Sequence, residues 1–315
     1  VTSIYHPYFR GKQFELLSIR ENAEFLSRSN FCPIIEPVNE TYSGLRRAIE
    51  AMAAHNVPYI LIANPKCTSE TVGNPGEFSA IVQECSGDDI TARMGILMDE
   101  KSDLADFERI VSVINRPAAV IHDGFTDGKS LAESIKRYPH IATNIFNQSK
   151  CGKLYQRHFK DSIKVLIQDG FNKQSKNSSY PLFESFSDLH LLYNEEGASG
   201  FGDFLIAGKE FSEGGGPAWA VAIHITIVDP SAEDVMMIYH FVSDSNDTNT
   251  NPGGKFLEAL QKLVRQVSQD PRILRTTAIN EFLDLHASKH FPGLGYVKKL
   301  SMVHHLEVMS NFLRR

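Results

Sequence analysis

A chain of 315 residues with 42% hydrophobic and 22% charged residues has the composition of a folded globular protein of one large or two ordinary domains, and it excludes a disordered chain. The formal net charge of −6 gives no global attraction to nucleic acid and leaves room only for a local basic groove. No apolar run approaches a membrane span, no basic-then-apolar leader opens the chain, and Cys32, Cys67, Cys85 and Cys151 form no CxxC pair. A cytoplasmic protein with reduced thiols is therefore expected.

In chain order, short apolar runs alternate with helical spacing. Strands are predicted at 4–9, 32–38, 59–63, 93–98, 118–122, 141–146 and 163–167. Between and after them, helical periodicity runs over 14–26, 42–55, 77–84, 103–114, 129–138 and 153–159. Ser102 stands where a cap for the helix at 103–114 is expected, with acidic residues in the first turn. After the seventh strand a polar segment, 172–180, replaces the helix.

Such alternation implies a parallel sheet covered by helices. With the run 204–207 as an eighth strand, the expected fold is a (β/α)8 TIM-like barrel. An open doubly wound sheet is the alternative, but it normally opens with a GxGxxG turn, which this sequence lacks. The runs 218–228 and 236–242 read as a β-hairpin inserted before the last barrel helix, 256–267. The barrel with its hairpin is placed at 1–271 and a helical extension at 272–315. In that extension Val297, Leu300, Val303 and Leu306 form an apolar stripe, predicted to pack on the barrel or to join two copies as an oligomer. The neighbours His304 and His305 should lie on divergent faces of the helix.

Two stretches carry a family resemblance. Tyr5-His-Pro-Tyr-Phe-Arg-Gly-Lys-Gln-Phe-Glu-Leu-Leu, followed by Pro33-Ile-Ile-Glu-Pro-Val, resembles the start of bacterial and phage beta-family proteins. The block GFGDFLIAG, GGPAWAVAIHIT, YHFVSD and PGGKFLEAL resembles a large uncharacterised bacterial branch related to them. The likeness spans most of residues 4–265 and thins in the helical tail. It implies a barrel-like α/β fold and a mobile-element or anti-phage setting, sometimes beside a restriction-nuclease-like neighbour that would be the protein partner. It brings no established reaction and no agreed catalytic residues.

Barrel chemistry sits at the C-terminal ends of the strands. Those ends carry Arg10 and Lys12, then Glu36, Asn64, Asp99 with Glu100, Asp123, Asn147 and Asp169, and Asp203 opens the eighth strand. Converging carboxylates suit a hard divalent cation such as Mg²⁺, for which Asp123 and Asp169 are the expected ligands. Arg10 and Lys12 suit a phosphate, while Glu36, Asp99, Asp123 or Asp169 would position the metal or act as base. Asp-Gly after a strand is also ordinary turn chemistry, which accounts for Asp123-Gly124 and Asp169-Gly170 without function.

His224 and His240 lie on adjacent predicted strands, as acid/base groups, metal ligands or hydrogen-bonded core residues. Asp203 and Lys255 are expected in the same pocket. The glycine-rich loop at 213–216 and the helix start at 252–255 could each approach an anion. Ser187, Asp188 and His190 suggest a triad, but no GxSxG elbow accompanies them. Two function classes follow. One is a barrel enzyme, such as a metal-dependent phosphoesterase, acting on a phosphorylated small molecule or nucleic-acid end. The other is a non-catalytic recognition subunit that binds a partner in an anti-phage system.

Overall fold

The computed structural model describes residues 3–67, 73–211 and 218–315. The strands are β1 (Tyr8–Phe9), β2 (Ile34–Ile35), β3 (Tyr59–Ile62), β4 (Ala92–Asp99), β5 (Ala118–Asp123) and β6 (Ile141–Asn147), followed by β7 (Ile163–Gln168), β8 (Phe183–Ser187), β9 (Gly200–Asp203), β10 (Ala222–Asp229) and β11 (Val235–Val242). The helices are α1 (Gln13–Glu21), α2 (Ala23–Arg28), α3 (Ser43–Ala54), α4 (Pro75–Ser86), α5 (Leu104–Val111) and α6 (Gly128–Ile135), followed by α7 (Lys153–Gln156), α8 (Leu189–Leu192), α9 (Pro252–Gln269), α10 (Thr277–Ser288) and α11 (Leu294–Leu313). The chain forms two compact units. One comprises the residues up to Gln168 with Leu192–Phe204, the other Asp169–Leu191 with Leu205–Arg315.

The first unit is the (β/α)8 barrel. Its eight strands run in the order β1-β2-β3-β4-β5-β6-β7-β9, all neighbours parallel. A parallel bridge between Tyr5 and Phe201 joins the two edges, with His6 N–H donating to Phe201 O at 2.8 Å and Phe201 N–H to Ile4 O at 2.8 Å. Alternate residues point inward, where Tyr8, Ile34, Ile62, Leu97, Ile121 and Ile145 belong to one buried cluster. α5 is N-capped by Asp103, whose carboxylate and that of Asp106 form a reciprocal capping box. Ser102, expected as the cap, instead donates its hydroxyl to Asp99 at 2.6 Å.

The eighth strand differs from expectation. It is β9, Gly200–Asp203, and the apolar run after it coils into a 3-10 turn at Leu205–Ala207. Leu205 adopts φ +49°, a left-handed conformation that an extended strand cannot contain.

The second unit holds the hairpin and the tail. β10 and β11 pair antiparallel, and β8 adds a third strand beside β11, in the order β10-β11-β8. One face of this sheet buries Ile223, Ile225 and Ile227 against Phe256, Leu260 and Leu263 of α9 and Ile279 and Phe282 of α10. The hairpin thus shares a core with the C-terminal helices, and the chain passes from one unit to the other at 168–169, 191–192 and 204–205. α11 buries the expected stripe of Val297, Leu300, Val303 and Leu306 within this unit, packed along β10 and α10. Its two histidines, expected on divergent faces, both reach Thr226: His305 meets its hydroxyl at 3.0 Å, and His304 meets its carbonyl oxygen at 2.8 Å as well as the Thr276 hydroxyl at 2.8 Å. Among the described residues no helix is long and apolar enough to cross a membrane.

Candidate functional site

The strand pleat builds the barrel mouth. Two residues beyond the inward-facing Ile34, Ile62, Leu97, Ile121 and Ile145 stand Glu36, Asn64, Asp99, Asp123 and Asn147. Period-two alternation sends all five side chains to the interior side, at the C-terminal ends of neighbouring strands. Arg10 bears the same relation to Tyr8.

Glu36 is fully buried and closely held. Its Oε2 accepts the Tyr8 hydroxyl at 2.7 Å and pairs with the Arg10 guanidinium. Its Oε1 accepts the backbone N–H of Lys66 at 2.9 Å and of Cys67 at 3.3 Å. The Cys67 thiol lies against both charged groups. Burial, reinforced by the Glu36 carboxylate, pushes that thiol up to about 12, so it is not a ready thiolate nucleophile. Arg10 and Glu36 therefore converge as expected. Lys12 takes the N-cap position of α1.

Asp99 and Asp123 are direct Cα partners across β4 and β5. Asn147 donates to Asp123 at 2.6 Å, Ser102 orients Asp99, and Lys66 Nζ lies 3.8 Å from Asp99. Beside them, Lys150 and Glu100 form a salt bridge at 3.1 Å. The mouth thus sets the Glu36, Asp99 and Asp123 carboxylates beside the Arg10 and Lys66 cations. Among the described residues, no three His, Cys, Asp or Glu side chains gather as a metal-binding group.

Other expected residues have these partners. Asp169 belongs to the second unit, where its carboxylate accepts the N–H groups of Phe171 at 3.0 Å and Lys209 at 2.7 Å. That is the turn role open to it from the sequence. Asp203 is buried in the first unit and accepts the Tyr5 hydroxyl at 2.8 Å. Its odd-numbered place beside Phe201 puts it opposite to the inward-facing Gly202 and Phe204. Lys255 is also buried, and its ammonium donates to the carbonyls of Ala218 (3.2 Å), Trp219 (2.8 Å) and Thr248. It ties loop backbone to α9 and does not present a phosphate site. The Gly254 N–H at that helix start is taken by Asn251. The 213–216 loop lies outside the described residues. His190 meets Asp234 O at 2.9 Å, and the Ser187 hydroxyl accepts the Leu189 N–H, so neither bond supports a triad.

His224 and His240 face each other as Cα partners, with their Nδ1 atoms 2.7 Å apart. The carboxylate on this pair is Glu184, 3.0 Å from His240 Nε2, in the place expected for Asp203. Glu184 escaped sequence reading because β8, Phe-Glu-Ser-Phe-Ser, is short and half polar. Tyr8 and Lys66 were also missed. Tyr8 was legible from its position two residues before Arg10, whereas Lys66 sits in a loop with no periodic signal.

Fold and mouth together define a (β/α)8-barrel protein with a polar strand-end site. No protein-family model matches the chain, and no curated protein matches it. Among solved structures it is similar to a protein described as of the dihydrodipicolinate synthase family from Coccidioides immitis. The identity is 9%, the match covers 98% of this chain and 86% of that one, and the TM-score is 0.45.

Proposed function

We propose that the first unit is a Mg²⁺-assisted enzyme for a phosphorylated small molecule or nucleic-acid end, with its site at the barrel mouth. The observation that supports this most is the side-by-side placement of Asp99 and Asp123, with Lys66 beside Asp99. Mg²⁺ is usually held by only one or two carboxylates and completed by water and substrate phosphate oxygens, so a group of three side chains is not required. When bound, the ion would neutralise phosphate charge and polarise the phosphoryl oxygen. Asn147 and Ser102 orient the two carboxylates, and Lys66 supplies a cation for the phosphate. Glu36 acts through Arg10, fixing the guanidinium at the rim as a positioning residue. The anti-phage or mobile-element setting rests on the sequence resemblance alone.

Equilibrium dialysis of nucleoside monophosphates and sugar phosphates against the full chain, with and without Mg²⁺, tests this reading. We expect retention that needs Mg²⁺ and weakens about tenfold or more, or about 1.4 kcal/mol, in Asp123→Asn. Retention indifferent to Mg²⁺ and to that substitution would overturn it, as would no retention of any compound.

A further inference from the structure

The second unit contains a chain of titratable side chains that the barrel chemistry does not use. Glu184 Oε1 lies 3.0 Å from His240 Nε2, and His240 Nδ1 lies 2.7 Å from His224 Nδ1. A carboxylate only accepts, so His240 Nε2–H donates to Glu184. In the neutral pair His240 Nδ1 is then the acceptor and His224 Nδ1–H the donor, which leaves the lone pair of His224 on Nε2. His224 is half-buried and lines a cavity of about 240 Å³, whose walls include Phe171, Tyr180, Lys173 and Lys298.

We propose that His224 is a general base acting on a small hydroxylated oxyanion, a phosphate or carboxylate compound, held in this cavity by Lys298 and Lys173. The two cations favour an anion, and Phe171 and Tyr180 offer ring surface to its carbon skeleton. The cavity is smaller than the roughly 300–1,000 Å³ of sites for drug-sized ligands, so the ligand is metabolite-sized. Lys173 rests 3.8 Å from the carboxylate of the exposed Glu210, a contact that an anion can displace.

The proton moves without a further reactant. The ligand O–H bond breaks and its proton passes to His224 Nε2, while the Nδ1 proton of His224 passes to His240 Nδ1. The ligand loses one positive charge, and His240 becomes an imidazolium beside the Glu184 carboxylate. The charged and titratable groups facing the pair are Glu184 from β8, Lys298 from α11, and Lys173 and Tyr180 from the segment after β7. Burial, with His240 and Lys298 near, holds His224 well below the ordinary imidazole range. Burial also lowers His240, but there the Glu184 carboxylate, 3.0 Å from Nε2, works in the opposite direction and favours the positive charge on that ring over His224.

Nitrogen-15 histidine spectra of the full chain at neutral pH test this. His224 is expected as the Nδ1–H tautomer and His240 as the Nε2–H tautomer. Titration with glycerol 3-phosphate and with D-glycerate should shift the His224 Nε2 resonance saturably. Lys298→Gln should weaken that response about tenfold, and Glu184→Gln should abolish the tautomer preference. A response to one compound alone assigns the anion as phosphate or carboxylate. No response to either would overturn the proposal, as would a His224 proton found on Nε2 in the free protein.

Discussion

Gly202 and His6 approach so closely that a Cβ on Gly202 would sit 2.1 Å from the His6 carbonyl oxygen. This is where the barrel edges meet, beside the bridge between Tyr5 and Phe201. Gly200 lies almost as near, with Ile4 O at 2.8 Å from its Cβ position. The glycines of Gly-Phe-Gly-Asp thus act as closure residues, where backbone must approach backbone.

Gly202→Ala should force the edges apart. We expect a cooperative loss of thermal stability, read by circular dichroism, together with faster amide exchange at His6 and Phe201. An alanine variant that melts like the parent would show that the seam is not a tight closure.

The Arg10–Glu36 pair is buried, so removing one charge strands the other. Glu36→Gln is expected to destabilise the protein by about 3–5 kcal/mol in urea unfolding. Tyr8→Phe removes one hydrogen bond to a charged acceptor and should destabilise by about 1.5–3 kcal/mol. If Glu36→Gln proved milder than Tyr8→Phe, the guanidinium would not depend on this carboxylate.

Lys255 is expected to matter for folding and not for phosphate. Lys255→Met leaves the carbonyls of Ala218, Trp219 and Thr248 without this donor and should destabilise by about 1–3 kcal/mol. Trp219 is the chain's single tryptophan, so its emission should report the loosened loop directly. Unchanged stability with weakened phosphate retention would restore Lys255 as an anion site.

Acid should weaken the fold through buried histidines. Burial pulls His6 and His122 down to about 3 and His304 down to about 4, from an ordinary value of 6.5. Between those values the unfolded chain binds more protons than the folded one, so stability rises with pH. The contribution is complete above 6.5 and is lost as pH falls towards 4 and then 3. Each histidine adds a slope of up to about 1.4 kcal/mol per pH unit in that window. Urea midpoints at pH 7 and pH 5 should therefore differ clearly, and equal midpoints would mean that these rings are protonated in the native state.

Much of the barrel was legible because its strands, buried on both faces, write themselves as runs of Val, Ile, Leu and Met. The mouth was legible for a related reason, since a polar residue two places beyond an inward-facing apolar one inherits its direction. That rule finds Glu36, Asp99 and Asp123. It fails for Asp203, where the true strand begins at Gly200 and the carboxylate falls on the opposite parity. It says nothing of Glu184, because among the described residues β8 pairs along one side only and three of its five residues are polar. Lys255 misled for a different reason: a lysine at a helix start reads as solvated or anion-binding, and only tertiary structure shows its three carbonyl acceptors. His224 and His240 were expected to share a face, and their register is direct.

The order in which the strands are made has a consequence for synthesis on the ribosome. All eight barrel strands have been translated by Asp203, but β8, at 183–187, pairs among the described residues only with β11, at 235–242. At ordinary elongation rates of about 5–20 residues per second, β8 waits on the order of seconds for its partner. During that interval its backbone donors and acceptors have no sheet to join. A ribosome stalled once residue 204 has cleared the exit tunnel, but before β11 has, should therefore carry a barrel able to close and a dangling segment open to proteases and chaperones, with β8 as the first place to be cut.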